Sequence, residues 1–457
     1  MLPRRLTAAL GAATVRVSRL PAGAGQAVAA PARHCSGAAR IAVPRAVEQK
    51  VACLDDLTTS ATVASGHTSS SDWSGLHAPG TTNPSGIPGI QVDGYFPDTS
   101  TTNTNNGWNH DSQFVIRLPD EWNGKLVVSG APGTRTQYAG DFLFSDWVLA
   151  RGYAYAMTDK GNSGTSFQND GATPADAINE WNRRVTQLTK VTKKVVRQTY
   201  GREPRRTYLF GISNGGYLTR WQLENRPRLY DGGIDWEGTL FRAQGPNLLT
   251  YLPTALRDYP AYLAGDEQAH QRMLDVGFAA GSEFTWEYHY GVYWDLTQRL
   301  YREEFDPSYD GDLNAGVPFC PSGTPTCDAD YDYSQRPGAR AAMREVQLTG
   351  DVRRPMLTLH GTFDALLPIA TDSDVYTKMI KRRGHGDQHR YYRIAAGTHV
   401  DGLAAEYGDA VRPILPCARK AFVQLTRWVE RDRKPARSRT VKQPSAGADA
   451  ANSCRLR

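Results

Sequence analysis

Gly211-Ile212-Ser213-Asn214-Gly215 holds a serine between two glycines, each two residues away. Thr207-Tyr208-Leu209-Phe210 before it suits a strand, and Tyr217-Leu218-Thr219-Arg220-Trp221 after it suits a helix. A serine at a sharp strand-to-helix turn is lifted above the sheet edge, where its hydroxyl can attack a carbonyl. Small flanking residues let the chain turn that tightly. The turn also sets the Asn214 amide at a helix N-terminus, facing a developing oxyanion. A seryl hydroxyl is a weak nucleophile near neutral pH, so a base and an orienting carboxylate are needed.

In such sites the acid and then the base follow the serine along the chain. Met356-Leu357-Thr358-Leu359 reads as a strand running into His360-Gly361-Thr362-Phe363-Asp364, and Tyr391-Tyr392-Arg393-Ile394 as one running into Ala396-Gly397-Thr398-His399. Asp364 and His399 therefore fall at the carboxyl ends of strands, where open α/β sheets carry their sites. We expect Ser213 as nucleophile, His399 as base and Asp364 as acid, with Asp372, Asp374 and Asp401 as other acids in reach. His360 precedes the acid in the same loop and reads as a packed turn residue; His385 and His389 sit in a basic loop and read as solvated. A second oxyanion donor should come from Ser129-Gly130-Ala131-Pro132-Gly133. Pro132 has no N–H, which leaves Ala131 or Gly133, and Ala131 is the preferred donor.

These residues need a framework, and the chain supplies alternating strands and helices. Phe114-Val115-Ile116, Lys125-Leu126-Val127-Val128 and Tyr153-Ala154-Tyr155-Ala156-Met157 read as strands. Ile178, Trp181, Val185, Leu188, Val191 and Val195 recur at helical spacing, after Thr173 as a candidate N-cap and before Gly201 as a stop. Such alternation predicts an α/β fold, a mostly parallel sheet with helices on both faces. Residues 246–345 interrupt it with aromatics and then an acidic run, and read as an inserted lid. Trp286, Tyr290 and Trp294 are candidates for lining a substrate pocket or for the lid's own core. The run from Asp306 to Asp332 lacks an EF-hand pattern, so no metal is assigned there.

The chain divides into a candidate signal peptide over 1–29, a loop-rich extension over 30–112, a first core part over 113–245, the lid over 246–345, a second core part over 346–430 and a basic tail over 431–457. Arg4 and Arg5, an apolar run and Ala27-Val28-Ala29 make the first of these a secretory pattern. Cys35, Cys53, Cys320, Cys327, Cys417 and Cys454 all lie beyond it, an even count that suits an oxidising compartment. Cys320 with Cys327 is the expected local pair. A net charge of +6, much of it at the two ends, argues poorly for nucleic acid. No apolar stretch is long enough for a membrane helix.

Over about 113–430, outside the insertion, the chain resembles the α/β-hydrolase superfamily. Phe114-Val115-Ile116-Arg117-Leu118-Pro119, Trp122-Asn123-Gly124-Lys125-Leu126 and Leu149-Ala150-Arg151-Gly152-Tyr153-Ala154 followed by Thr158-Asp159 resemble secreted esterases of the tannase and feruloyl esterase group. Ser213-Asn214-Gly215-Gly216 and His399-Val400-Asp401-Gly402-Leu403 also resemble 3-hydroxybutyrate oligomer hydrolases. The resemblance implies an α/β-hydrolase fold with an aromatic-rich lid, a triad of Ser213, Asp364 and His399, and cleavage of small or oligomeric carboxylic esters outside the cell without a cofactor. Tannase-group enzymes bridge a cysteine beside the serine to one beside the histidine. Here Ile212, Thr398 and Val400 occupy those places, so the bridge cannot form and the oligomer-hydrolase comparison gains weight. A serine peptidase would use the same triad, but no propeller repeat accompanies it. A non-catalytic binding protein on the same fold would not need all three positions filled.

Overall fold

The computed structural model describes residues 37–309, 328–445 and 447–456. The secretory pattern, Cys35, Cys320 and Cys327 lie outside them. Ten strands form one sheet: β1 (Glu48–Leu54), β2 (Gly89–Tyr95), β3 (Gln113–Pro119), β4 (Lys125–Gly130), β5 (Ala154–Thr158), β6 (Arg206–Ile212), β7 (Gly232–Trp236), β8 (Met356–Gly361), β9 (His389–Ile394) and β10 (Arg439–Val441). Their order is β1-β2-β3-β5-β4-β6-β7-β8-β9-β10. The pairs from β1 to β5 across β2 and β3 are antiparallel; every pair from β5 and β4 to β10 is parallel.

The parallel half has apolar strands because both its faces are covered. On one face lies the helix Asp176–Tyr200, whose Ile178, Trp181, Val185, Leu188 and Val195 are buried. On the other lies Leu415–Arg431, with Phe422 stacked on Phe210 of β6. The long helix starts later than expected. Thr173 does not cap it; instead the Asp176 carboxylate accepts from the Ala172 and Thr173 amides. It ends as predicted, on Gly201 in the left-handed region.

Two segments outside the expected core add strands to the sheet. In the extension, read as loops and short β pieces packing on the core, β1 and β2 pair in full register with each other, and β2 with β3. The tail is not simply solvated: β10 pairs with β9, Cys454 is disulfide-bonded to Cys417, and Leu456 is buried. Cys53 is disulfide-bonded as well. Between β7 and β8 the insertion is helical, with Leu248–Leu263, Glu267–Asp275, Asp295–Phe305 and Pro337–Val346 packed as one apolar cluster with the core. Among the described residues no helix is long and apolar enough to cross a membrane.

Candidate active site

Ser213 stands between the end of β6 and the helix Asn214–Asn225, with φ 56° and ψ −123°. A non-glycine residue in that region is strained, and the surroundings must hold it there. Glycines make the turn sterically feasible. A Cβ on Gly211 would come within 2.1 Å of the Gly215 carbonyl oxygen, and one on Gly215 within 2.6 Å of the Gly130 oxygen. The Ser213 amide is tied to the Trp236 carbonyl at 2.9 Å, which anchors the elbow to β7.

The structure brings Ser213, His399 and Asp364 together. The Ser213 hydroxyl donates to His399 Nε2 at 3.1 Å, and His399 Nδ1 donates to Asp364 Oδ2 at 2.8 Å. Asp364 is buried, and its Oδ1 accepts from the Leu366 and Leu367 amides, both at 2.9 Å. Burial pushes its carboxyl up, but the His399 charge and the hydrogen bonds from His360 and His399 outweigh that and hold it well below the usual carboxylate range. An ionised acid, an imidazole that accepts from the hydroxyl, and a half-buried serine open to the pocket can together deliver an alkoxide equivalent to a carbonyl.

A buried polar chain fixes the acid. Arg220, on the serine's own helix, donates to Asp235 and Asp372, each at 2.8 Å, and to Ser373 Oγ at 2.8 Å. Ser373 Oγ meets His360 Nδ1 at 2.7 Å, and His360 Nε2 faces both Asp364 Oδ2 at 3.1 Å and the Leu367 carbonyl at 2.9 Å. Two acceptors on Nε2 require the proton there. His360 is thus packed as expected, but on β8 itself rather than in a turn, and it also fixes Asp364. Its place four residues before the acid was the available signal. Asp372 belongs to this chain, Asp374 pairs with Arg393, and Asp401 accepts from the Ile414 and Leu415 amides, so none of the three reaches His399 as a first partner. His389 is buried against Thr358 rather than solvated.

Ala131 does not fit the oxyanion role. The parallel ladder of β4 and β5 runs one residue further than the sequence indicates, and the Ala131 amide donates to the Thr158 carbonyl at 3.0 Å. Gly133 lines the pocket instead, at φ 48°, and its N–H meets no acceptor among the described residues. Two donors hold the Gly133 carbonyl: Lys160 Nζ at 3.1 Å and Asn214 Nδ2 at 3.3 Å. Burial pulls the Lys160 amine down to about 8, against the opposing pull of Asp159 and Asp111. Asn214 Oδ1 in turn accepts from Thr239 and Tyr301, so its side chain is fully positioned.

A pocket of about 180 Å³ opens on Ser213 and His399, walled by Phe167, Tyr293, Tyr301, Leu248, Leu300 and Leu366 among others. Trp286, Tyr290 and Trp294 do not line it. Trp286 and Trp294 are fully buried in the lid, donating to Ser282 Oγ at 3.0 Å and to the Ala365 carbonyl at 2.7 Å, and Tyr290 packs on Tyr259. The backbone over Tyr290–Trp294 is a wide π-type turn, and Tyr293 within it lines the pocket. In the acidic run, Asp306 is bound by Arg336, Ser308 and Tyr331, and Asp328 by Arg302. Asp310 and Asp312 lie outside the described residues.

The sheet order, the elbow at the end of β6 and the two loops after β8 and β9 define an α/β-hydrolase fold. The solved feruloyl esterase B of Aspergillus oryzae shares it, with a TM-score of 0.52 at 14% identity over 91% of this chain and 93% of that one. The family described as tannase and feruloyl esterase matches residues 99–236, which include Ser213 and Asn214 and stop short of Asp364 and His399. Over similar lengths the chain is 27% identical to a mono(2-hydroxyethyl) terephthalate hydrolase of Piscinibacter sakaiensis, across 28% of this chain and 23% of that protein. It is 29% identical to a "Probable feruloyl esterase" of Arthroderma benhamiae, across 29% of this chain and 27% of that protein. The alignments thus span about a quarter of each curated relative. Within that span the chain is similar to the tannase and feruloyl esterase group.

Proposed function

We propose that the protein is a secreted carboxylic ester hydrolase working through a seryl acyl-enzyme. The observation that carries this reading is the continuous hydrogen-bonded line from Ser213 through His399 to Asp364 at the mouth of an apolar pocket. Ser213 Oγ attacks the ester carbonyl while His399 Nε2 takes its proton. The imidazolium returns that proton to the leaving alkoxide, and Asp364 stabilises the charged ring throughout. Water then repeats the sequence on the acyl-enzyme. The oxyanion lies between the Asn214 and Gly133 amides, the second taking the part first expected of Ala131.

Pocket size bears on the acyl group. A cavity of about 150 Å³ holds a benzene ring, so about 180 Å³ takes one aromatic ring or a short hydroxyacyl unit, with the rest of the substrate outside. This favours hydroxycinnamoyl-type esters or hydroxyalkanoate oligomers over long acyl chains. The names of the relatives support the first class, and the sequence around Ser213 and His399 the second. Disulfides at Cys53 and at Cys417–Cys454 support an oxidising compartment. The test is hydrolysis of methyl ferulate, methyl gallate, a 3-hydroxybutyrate oligomer, p-nitrophenyl acetate and octanoate, and a peptide anilide. Ester turnover that disappears in Ser213→Ala is expected. Anilide cleavage without ester turnover would replace this reading with a peptidase.

A further inference from the structure

Glu237 is a buried carboxyl that the mechanism above does not use. It follows β7 directly, at φ 51°, so a strained backbone turns its side chain into the site. Its Oε1 accepts from the Gly361 amide at 2.6 Å. Its Oε2 is buried with no hydrogen-bond partner among the described residues and lies 3.7 Å from His399 Nδ1. Burying an oxygen without a partner costs about 1–3 kcal/mol, and this one is aimed at the imidazole nitrogen that Asp364 already holds. One carboxyl oxygen each of Glu237 and Asp364 and a ring nitrogen of His360 all lie within 4.8 Å of one another. Two carboxyls therefore reach one N–H from two different strands, Asp364 from the loop after β8 and Glu237 from the end of β7.

We infer that Glu237 is a second acid of the site, a positioning residue able to hold His399 Nδ1–H when Asp364 does not. Asp364 is the primary partner because it is nearer and ionised. Glu237 stays neutral beside it: burial and the charge of Asp364, with Asp401 and Asp372 beyond, all oppose its ionisation, while the Gly361 amide favours it. The groups facing it are His360 from β8, Asp364 from the loop after it, His399 and Asp401 from the loop after β9, and Asp372 from the approach to the helix Ser373–Arg382. Removing the Asp364 charge lets Glu237 lose its proton to solvent and accept from Nδ1 as a carboxylate.

This inference rests on the proposed triad, so its test is a cycle of Asp364→Asn and Glu237→Gln with Ser213→Ala as control. Replacing the acid of such a triad by its amide lowers kcat about 10⁴-fold. Here Asp364→Asn is expected to lose only about 10³-fold, because Glu237 takes over. Glu237→Gln alone should cost about threefold, and in the Asp364→Asn background at least about thirtyfold. The Asp364→Asn enzyme should also show kcat/KM rising with pH above the range where the unaltered enzyme has levelled, and the double variant should lack that rise. Equal factors for Glu237→Gln in both backgrounds, with no change of pH profile, would overturn the inference while Ser213→Ala stays inactive. Full activity in Ser213→Ala would overturn the triad itself. Rates are referred to the folded fraction from thermal unfolding, and Glu237→Leu is read in the same way if Glu237→Gln does not fold.

Discussion

The loops at the carboxyl ends of β6, β8 and β9 and the helical lid between β7 and β8 use similar residues for opposite purposes. Each contains a buried histidine in an aromatic and acidic setting. His399 has a partner on both ring nitrogens, and the two bonds make one line from Ser213 to Asp364. His289, in the lid, is completely buried with neither nitrogen bonded among the described residues, packed against Tyr293 and Trp294. In the strand-end loops, position and bonding are both specified, as the proposed reaction requires. In the lid, ring shape fills space and polarity is tolerated. Substitutions in the two regions should therefore fail in different ways, the first in rate and the second in stability.

The largest effect should be that of Ser213→Ala. Removing the nucleophile of a comparable triad lowers kcat about 10⁶-fold, with no loss of stability, since the side chain's one bond is to His399. Steady-state kinetics beside a urea titration would show the split. Next comes Trp286→Ala. A buried tryptophan cut to alanine costs about 3–5 kcal/mol, and Trp286 touches Phe278, Tyr262 and Ser282 rather than the pocket. The urea midpoint should fall steeply while the folded fraction keeps its KM within about twofold. A stable Trp286→Ala protein with a tenfold higher KM would make this ring a pocket residue after all and erase the contrast between the regions.

The same contrast explains which features could be read from the sequence. Ser213, Asp364 and His399 were legible because each must stand just past a strand, and a strand ending in a small-residue turn has a local pattern. Ala131 was misread because its amide belongs to the β4–β5 ladder, and where a ladder ends depends on the partner strand, not on the residues before Pro132. Glu237 carried no signal: its reach to His399 depends on a positive φ just after β7. In the lid, helical spacing places Trp286, Tyr290 and Trp294 on one stripe, and that stripe packs on Phe278 and Tyr259 of the lid itself, neighbours that spacing alone does not name. β2 was hidden for another reason. Gly89-Ile90-Gln91-Val92-Asp93-Gly94-Tyr95 has weak strand propensity, and it is a strand because β1 and β3 pair with it on both sides.

Acid should separate the two histidine environments. Burial holds His289 down at about 4 in the folded protein, while an unfolded histidine titrates near 6.5. Between these values the unfolded chain binds the extra proton, so stability falls as pH drops from about 6.5 toward 4, by about 2 kcal/mol at pH 5. Asp364 has the same sign in a lower window. Its depressed pKa gives stability that is complete above about pH 4 and lost only as pH falls through the folded value, so it is constant between pH 8 and pH 5. His289→Phe keeps the ring and removes the titration. Relative to the unaltered protein it should gain about 2 kcal/mol between pH 8 and pH 5, read from urea midpoints. An equal pH response in both proteins would mean that His289 is protonated in the fold, and the lid would then be specified for charge as the strand-end loops are.

Tyr293 should give the smallest effect, and it is where the two regions meet: a lid residue on the pocket wall beside Phe167 and Tyr301. An aromatic pair adds about 0.5–1.5 kcal/mol beyond the area it buries, a factor of about 2–12 in binding. Tyr293→Leu keeps an apolar wall and removes the ring. It should raise KM for an aromatic acyl ester such as methyl ferulate by about that factor. For p-nitrophenyl acetate, whose acyl group is too short to touch the wall, KM should hold within about twofold, and stability should change by less than it does in Trp286→Ala. An equal rise on both esters would mean that Tyr293 shapes the lid without meeting the acyl group, and the pocket's selectivity would then rest on Phe167 and Tyr301.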